Sequence, residues 1–563
     1  MNSNAEIGRS DLSHWREQHP KNYFTANHDA QRTMKLRLGV ERFEQVREHL
    51  ENVGALAAGP MARLGRDANR EQNLPRLERY SGIGTRTEEV VFHPSYHELG
   101  RQIWSSGVLS QYGEKGRETE QLAMMHMFSQ NGELGHLCPL ACTAGLIKLL
   151  QAVGTESQQK RWLPGLLAKE YERRIHASQF LTEVQGGSDV GANAVRAVKA
   201  DDHWQIHGEK WFCSVIDASV FLMTARPEDA AAGTKGLSLF LVPRNVNGQT
   251  NEFYIRRLKW KLGTRAMASA EVDFRGASAE AIGETGKGFK NIVENVLDTS
   301  RLYNAICCAG AIRRSYLEAS RFAQNRRAFG VSIARYPLIQ EAIATLRAES
   351  MATFSITQRL SAQGDLLLTG KGDEDLRSAR RVGNNINKYW TSVRNTQMAR
   401  LAMEVFGGNG AIESFSIIPQ LYRDAMVLES WEGTHNTLVQ QVMRDSQRYR
   451  LHEAFLANLT ESTKQLELIG DHESCRVAIL AGIDATREPL ERIAEGDNDQ
   501  RWGRRIVDQL AVCQALVSLL EELSMSSQDE ACRATIDFFV ARDLQSSVDK
   551  PPALSQALYT SEG

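Results

Sequence analysis

Residues 180–193, FLTEVQGGSDVGAN, separate two kinds of sequence pattern. Before them, from about residue 29 to 170, apolar residues recur at three- and four-residue spacing, as in ETEQLAMMHMFSQ (118–130), which predicts helices. After them, up to about residue 285, short β-branched or aromatic segments such as HWQIHGEKWFCSV (203–215) alternate with Gly, Asn and Pro turns. This second pattern predicts an antiparallel β-barrel or sandwich.

Helical periodicity returns from about residue 287, with breaks at Pro337 and at Gly407-Gly408. The whole pattern predicts an α+β protein of four parts. They are an N-terminal α-helical domain (1–174), a middle antiparallel β-domain (175–285), a C-terminal four-helix bundle (286–450) and an acidic helical C-terminal extension (451–563).

Composition limits the class of protein. The chain has 563 residues, of which 42% are hydrophobic and 24% charged, enough for a large core divided into several units. The N-terminus lacks an apolar signal core, and no apolar run approaches the ~20 residues that a membrane span needs. Eight cysteines form no C-x-x-C pair, which argues against a disulfide framework or a zinc site. We therefore expect a soluble, cytoplasmic protein without membrane insertion.

Charge is distributed unevenly along the chain. Residues 451–563 carry 10 Lys and Arg against 20 Asp and Glu, a net charge of −10, which leaves +8 for residues 1–450 of the whole-chain −2. An acidic extension is unsuited to binding DNA phosphates. A basic stripe on the remainder, involving the pairs Arg313-Arg314 and Arg380-Arg381, is the alternative.

Four motifs lie at the boundaries between these regions. They are FLTEVQGGSDVGAN, the strand GEKWFCSV (208–215), NRRAFG (325–330), and the run AMEVFGGNGAIESFSIIPQLYRDAMVLESWEGTHN (402–436). Taken singly, each has a purely structural interpretation: a tight loop, a buried hairpin strand, arginines at a helix C-terminus, and a glycine helix stop.

Together, in this order and spacing, the four motifs resemble those of the acyl-CoA dehydrogenase family. The resemblance spans roughly residues 90–445 and includes KLGTRAMASAEVDF (261–274). Within the family, FHPSYH (92–97), LYRDA (421–425) and the Trp before EGT are most similar to the AidB-like branch, which also carries an extra C-terminal helical segment.

The resemblance implies that Glu432 is the catalytic base, which removes the α-proton of an acyl-CoA thioester while a hydride leaves the β-carbon for the flavin. A desolvated carboxylate is a stronger base, and Trp431 with the apolar run before it would exclude water. The backbone N–H of Glu432 would donate to the thioester oxygen. Ser300 stands where some family members place their base, so Glu432 has no rival.

The resemblance also implies FAD as the cofactor and no metal. Residues of the middle domain would contact the flavin and those of the C-terminal helices its adenine and diphosphate, with Glu404, Gly407 and Gly408 coming from a neighbouring subunit. The implied cofactor residues are Leu181, Thr182, Ser188, Phe212, Ser214, Arg326, Phe329, Glu404, Gly407, Gly408, Thr434 and Asn436. The implied substrate residues are Ser188, Asp298, Arg301, Trp431 and Gly433.

Several positions depart from the usual family residues, including Glu404 in place of Gln and Phe212 in place of Trp. The expected partners are an acyl-CoA, an electron-accepting flavoprotein or other acceptor, and further copies of the chain in a dimer of dimers. The leading hypothesis is an FAD-dependent acyl-CoA dehydrogenase of fatty acid metabolism. The alternatives are an AidB-like DNA-binding flavoprotein of the alkylation response and a non-catalytic acyl-CoA binding protein.

Other motifs predict less. His93 and His97 are four residues apart, but no third ligand follows at a standard interval, so a helix start is the preferred interpretation. Cys307-Cys308 lies in an apolar helix and is interpreted as core. No G-x-G-x-x-G or P-loop sequence is present, which disfavours a Rossmann or P-loop nucleotide site.

Overall fold

The computed structural model describes residues 4–468, 472–496, 502–525 and 529–544. The chain forms two compact units. The β unit comprises Met61–Glu114 and Glu133–Tyr303, and the helical unit comprises Met1–Pro60, Lys115–Gly132 and Asn304–Gly563. Residues 1–174 are thus divided between the two units, and the domain boundaries drawn from the sequence stay predictions.

The first part of the chain is mostly helical. It contains α1 (Asn4–Glu17), α2 (His28–Leu38), α3 (Val40–Leu56), α4 (Ala62–Ala68), β1 (Arg76–Tyr80), β2 (Arg86–Val91), α5 (Pro94–Ser105), α6 (Glu118–Ser129), α7 (Leu137–Val153) and α8 (Glu156–Leu166). The middle part contains β3 (Ala177–Phe180), β4 (Arg196–Ala200), β5 (His203–Ser214), β6 (Val220–Pro227), β7 (Ser238–Pro243), β8 (Asn245–Val246), β9 (Gln249–Thr250), β10 (Phe253–Leu258) and β11 (Ser269–Ile282).

The last part is helical again, apart from one short hairpin. It contains α9 (Gly288–Asn291), α10 (Asp298–Asn325), β12 (Arg327–Ala328), β13 (Val331–Ser332), α11 (Pro337–Leu368), α12 (Glu374–Phe406), α13 (Ile418–Leu428) and α14 (His435–Tyr449). The extension adds α15 (Leu451–Gln465), α16 (Glu473–Asp484), α17 (Arg487–Ala494), α18 (Gly503–Leu523) and α19 (Glu530–Phe539). The predicted order of helices, β-domain and helices is confirmed.

The β1–β2 hairpin was missed in the sequence. Its strands, RLERY and RTEEVV, are rich in charged residues, so they lack the apolar alternation that marks a half-buried strand. β1 is largely exposed, whereas most of β2 is buried or partly buried. Contacts to β10 hold it: Arg86 donates to the Phe253 carbonyl at 2.7 Å, and the Ile255 N–H donates to the Glu88 carboxylate at 3.0 Å.

The middle sheet has seven strands. Six follow the order β10-β11-β5-β4-β6-β3, and β7 pairs with both β11 and β6. Most pairs are antiparallel, whereas β6 runs parallel to β3 and β4. Phe180, Phe221 and Phe253 pack in its interior. The sheet therefore presents the loop after β3 and the end of β5, which carry two of the motifs, on a rigid support.

The helical unit has one hydrophobic core, to which α11, α12, α14 and the extension helices all contribute. Pro337 occupies the first turn of α11, and α12 ends at Phe406, before Gly407 at φ 60°. Both residues thus act as the predicted breaks. No described helix combines the length and apolar composition needed to cross a membrane.

Candidate functional site

The turn that connects α13 to α14 contains the predicted base. Glu432 is half-buried and adopts φ 57°, and Gly433 follows at φ 110°. A left-handed conformation at a residue with a Cβ costs roughly 1–3 kcal/mol and persists only where surrounding contacts hold it. Contacts with surrounding residues therefore maintain the left-handed backbone conformation of Glu432.

Lys388 on α12 supplies part of that support. Its side chain is 0% exposed, and its Nζ donates to the carbonyls of Glu429 and Gly433, each at 2.9 Å. A buried ammonium needs polar partners, and these two carbonyls lie on either side of Trp431 and Glu432. Asn304 adds a hydrogen bond to the Leu428 carbonyl at 3.1 Å. The turn is thus fastened along its length.

The start of α14 contains the other predicted residues of this motif. Thr434 and Asn436 are exposed, and Arg504 of α18 donates to Asn436 Oδ1 at 2.7 Å. Burial, with the nearby charges of Lys388 and Arg504, lowers the pKa of His435 to about 4. The imidazole is consequently neutral at neutral pH.

The loop after β3 carries the first motif and is held by a buried ion pair. Lys210 Nζ lies 2.8 Å from Glu183 Oε1 and donates to the Leu181 carbonyl at 3.1 Å. Burial alone would raise the pKa of Glu183, but Lys210 and the N–H donor of Ala194 lower it, so the carboxylate is charged. Leu181 and Thr182 are half-buried, and Ser188 is exposed.

A close approach explains one glycine of this loop. A Cβ on Gly187 would lie 2.6 Å from Thr182 Oγ1. A larger residue would therefore displace the Thr182 hydroxyl.

The end of β5 contains a β-bulge at Trp211 and Phe212. Cys213 pairs with Ala270 and Lys210 with Val272, so the pairing slips between them. The bulge turns Lys210 inward while Phe212 remains 55% exposed. Ser214 Oγ lies 2.9 Å from Ser269 Oγ. Phe212 thus offers an exposed aromatic ring near the end of β5.

The third motif forms a helix end and a hairpin. Helix α10 ends at Asn325, and Phe329 at φ 52° and Gly330 at φ 85° connect β12 to β13. Two left-handed residues are typical of a tight two-residue hairpin turn, in which Phe is an unusual choice. Phe329 is 96% exposed in the single chain.

Arg326 and the glycine motif line one cavity of about 380 Å³. Its lining residues are Phe322, Arg326, Ile333, Glu404, Val405, Phe406, Gly407, Gly408 and Asn409. Glu404, whose negative charge would oppose a diphosphate, lies 3.3 Å from Arg400. The structure therefore brings Arg326, Glu404 and the two glycines together within one chain.

The predicted substrate residues Asp298 and Arg301 lie in the first turn of α10. Asp298 is half-buried and Arg301 is buried. Ser300, between them, is buried with its Oγ 3.4 Å from the Gln179 amide nitrogen. It has no carboxylate to compete with Glu432.

Two features, one in each unit, suit different parts of a flavin dinucleotide. Phe212 provides an exposed ring for stacking, and no described atom lies within 4 Å of where a Cβ would be on Gly407 or Gly408. A phosphate can therefore approach the backbone there closely, with the Arg326 guanidinium lining the same cavity.

Three regions match described families. Residues 286–447 match the C-terminal domain and residues 178–277 the middle domain of acyl-CoA dehydrogenases, and residues 17–173 match the N-terminal domain of the adaptive response protein AidB. These matches define the class as flavoprotein dehydrogenases.

Individual relatives narrow this class. Acyl-CoA dehydrogenase family member 11 of Caenorhabditis elegans is 32% identical over 428 residues, which cover 73% of this chain and 69% of that protein. The chain therefore belongs to the acyl-CoA dehydrogenase family, an oxidoreductase family whose fold has been solved with FAD.

One further relative and one solved structure resemble the chain over most of their length. The putative acyl-CoA dehydrogenase AidB of Escherichia coli (strain K12) is 29% identical over 511 residues, 87% of this chain and 88% of that protein. Caenorhabditis elegans ACDH-11 in complex with C11-CoA has a TM-score of 0.85 and 27% identity, covering 92% of this chain and 90% of that one. The predicted similarity to the AidB-like branch is confirmed.

Sequence reasoning missed Lys388, Arg504 and Lys210 as supports of the site. Each resembles an ordinary charged residue of a helix or strand, and no local signal separates it from a solvated one. Glu183 lies inside the first motif, but its pairing with Lys210 depends on tertiary contact.

The structure corrects the prediction that the arginine pairs form a basic stripe on the surface. Arg313, Arg314 and Arg380 are buried, with exposures of 1%, 3% and 8%. Arg380 pairs with Glu118 at 2.9 Å and Arg381 with Asp445 at 2.9 Å. The three buried arginines therefore cannot lie in a surface stripe along DNA, and Arg381, whose side chain is 37% exposed, is paired with a carboxylate.

His93 also has a structural role, because its Nδ1 accepts from the Ser95 N–H at 3.2 Å and caps α5.

Proposed function

We propose that the protein is an FAD-dependent acyl-CoA dehydrogenase that introduces an α,β double bond into an acyl-CoA thioester. The main support for this proposal is the turn at Glu432. Its left-handed backbone is held by buried Lys388, which donates to a carbonyl before Glu432 and to one after it. Such support is expected where a carboxylate must be presented in one orientation.

Glu432 acts as the general base in this reaction. Its carboxylate takes the proton from the α-carbon, and the electrons of that C–H bond form the new double bond. The Glu432 N–H donates to the thioester oxygen and stabilises the negative charge that develops there. Bound FAD would supply the oxidant for the hydride that leaves the β-carbon. Trp431 and Gly433 adjoin the base and contact the substrate.

The cofactor is held by two sets of residues. One set, Leu181, Thr182, Ser188, Phe212 and Ser214, contacts the flavin. The other set contacts the adenine and diphosphate and consists of Arg326, Phe329, Thr434 and Asn436 together with Glu404, Gly407 and Gly408 of a neighbouring subunit. The Arg326 guanidinium offers charge-assisted hydrogen bonds to a phosphate. Asp298, Arg301 and Ser188 bind the acyl-CoA.

The complex of ACDH-11 with C11-CoA supports an acyl-CoA substrate. The expected redox partner is an electron-accepting flavoprotein or another acceptor, which would take up the electrons removed from the acyl-CoA. The chain assembles as a dimer of dimers, in which an exposed Phe329 is suited to contact a neighbouring subunit.

A second candidate function is favoured by the similarity to AidB, which covers 87% of the chain. It is a flavoprotein of the alkylation response that acts on or near DNA. Burial of Arg313, Arg314 and Arg380 removes these three side chains from any basic surface stripe, which counts against this candidate. A non-catalytic acyl-CoA binding protein is the third candidate.

An anaerobic titration of the FAD-loaded protein with saturated acyl-CoAs of increasing length tests the proposal. We expect bleaching of the oxidised flavin absorbance by one range of chain lengths. The control is free CoA, which has no acyl chain to be dehydrogenated and should therefore leave the absorbance of the oxidised flavin unchanged. Acyl-CoA binding by calorimetry without any bleaching would instead establish the non-catalytic binding protein.

A further inference from the structure

Arg504 connects the C-terminal extension to the start of α14. Its side chain donates to Asn436 Oδ1 at 2.7 Å and lies 3.4 Å from the Tyr389 hydroxyl. Tyr389 in turn donates to Asp508 at 2.7 Å, one turn further along α18. The guanidinium is therefore held in place by Asn436 of α14 and by Tyr389 of α12.

The charge at this position is unusual. A helix N-terminus carries a partial positive charge and disfavours a nearby cation. Arg504 nevertheless lies at the first turn of α14, a helix of 15 residues whose N-cap residue, Thr434, makes no side-chain capping bond. The positive charges also act on His435, whose pKa they help to lower. The Asp508 carboxylate, which accepts from Tyr389, offsets part of this positive charge, and the exposed Arg504 remains suited to a negatively charged group.

We propose that Arg504 is an FAD-retention residue that orients Asn436 and adds positive charge beside the segment 434–436. This inference rests on the proposed function, in which Thr434 and Asn436 bind the FAD diphosphate. It assigns the extension a direct part in cofactor binding, and Arg504 is a positioning and charge-supplying residue.

If the role of Arg504 is purely structural, a different experimental result is expected. If Arg504 only ties α18 to α14, its removal lowers the stability of the apoprotein and leaves the affinity of the folded protein for FAD unchanged. If it serves the diphosphate, its removal weakens FAD binding without a matching loss of apoprotein stability.

Arg505 provides a matched control. It is the next residue on α18, is exposed, and packs over the Trp502 ring at 5.1 Å. The test compares Arg504→Ala with Arg505→Ala for FAD affinity of the apoprotein, by flavin fluorescence at low and high ionic strength. The thermal midpoint of each apoprotein is measured in parallel.

We expect Arg504→Ala to weaken FAD binding roughly tenfold or more, because hydrogen bonds to charged groups have about this effect. The loss should be larger at low ionic strength, where charge is less screened. Arg504→Lys should retain part of the affinity through its charge, and Arg504→Gln part through its hydrogen bond to Asn436. Arg505→Ala should bind FAD like the unchanged protein.

Equal FAD affinity of Arg504→Ala and Arg505→Ala would overturn the inference. So would a loss of affinity that only follows a loss of apoprotein stability. If Arg504→Ala does not fold, Arg504→Lys and Arg504→Gln decide between the same outcomes. An unchanged protein that binds no FAD would overturn the proposed function itself, whereas FAD binding that is insensitive to Arg504 overturns this inference alone.

Discussion

Glu432 is the residue at which binding and chemistry can be separated. Replacing it with Gln keeps nearly the same shape but removes the ability to accept a proton. We expect Glu432→Gln to retain FAD and acyl-CoA binding and to lose about two to four orders of magnitude in turnover. Stopped-flow reduction of the flavin by acyl-CoA measures this. Turnover at the unchanged rate would exclude Glu432 as the base.

Arg326 allows a second test at the residue scale, because Arg327 is an adjacent arginine outside the cavity lining. We expect Arg326→Ala to release FAD more readily during dialysis, since alanine cannot replace a guanidinium that contacts phosphate. Arg327→Ala is the control and should retain FAD. Equal retention by both variants would favour a role for Arg326 in complementing the α10 dipole.

At the scale of elements, α12 determines the shape of the catalytic turn through Lys388. We expect Lys388→Met to leave the Glu429 and Gly433 carbonyls without this donor, at a cost of about 1–3 kcal/mol in the free energy of unfolding. Urea denaturation measures the loss. Because the turn is then less constrained, turnover should fall while the KM for acyl-CoA changes less.

Lys388→Gln is the companion variant, since its amide can still donate to one carbonyl. It should recover part of the turnover. A Lys388→Met protein with unchanged stability and unchanged turnover would show that the hydrogen bonds of Lys388 to the Glu429 and Gly433 carbonyls have no role at the turn.

The bulge in β5 determines which side chains at the end of that strand are buried. Strict alternation would place Lys210, Phe212 and Ser214 on the same face. The bulge instead buries Lys210 against Glu183 and leaves Phe212 exposed. Alternation predicts Phe212 and Ser214 on the same face, and this stays a prediction, whereas the inward turn of Lys210 depends on pairing with β11.

For the whole molecule, ion pairs attach the acidic extension to other helices. Glu521 pairs with Arg37 and with Arg359, the latter at 3.0 Å. Glu522 pairs with Arg32 at 3.1 Å. Part of the extension's negative charge is therefore neutralised by arginines of α2 and α11, which also reduces the positive charge that those helices could offer to DNA.

We accordingly expect weak binding to duplex DNA at physiological salt. Fluorescence anisotropy at two ionic strengths measures this, because phosphate contacts make affinity fall steeply with salt. Tight, salt-sensitive binding, together with no flavin response to any acyl-CoA, would support the alkylation-response function instead.

Much of the fold and of the motif set could be predicted because the signals are local. The switch from helical to β-strand periodicity, the proline at the start of α11 and the glycine after α12 all act within a few residues. The supports of the site act over longer separations: Lys388 and Gly433 are 45 residues apart, and Arg504 and Asn436 are 68 apart.

The sequence by itself determined the order of helices, sheet and helices, the family, and the motif that contains Glu432. Only the tertiary structure decided which charged residues are buried and what they contact. Lys388, Arg313 and Arg504 all lie in helical segments with similar periodicity, yet the first two are buried and the third is exposed. The physical reason is that burial and hydrogen bonding depend on which distant segments pack around a side chain, and residue spacing within one helix does not specify them.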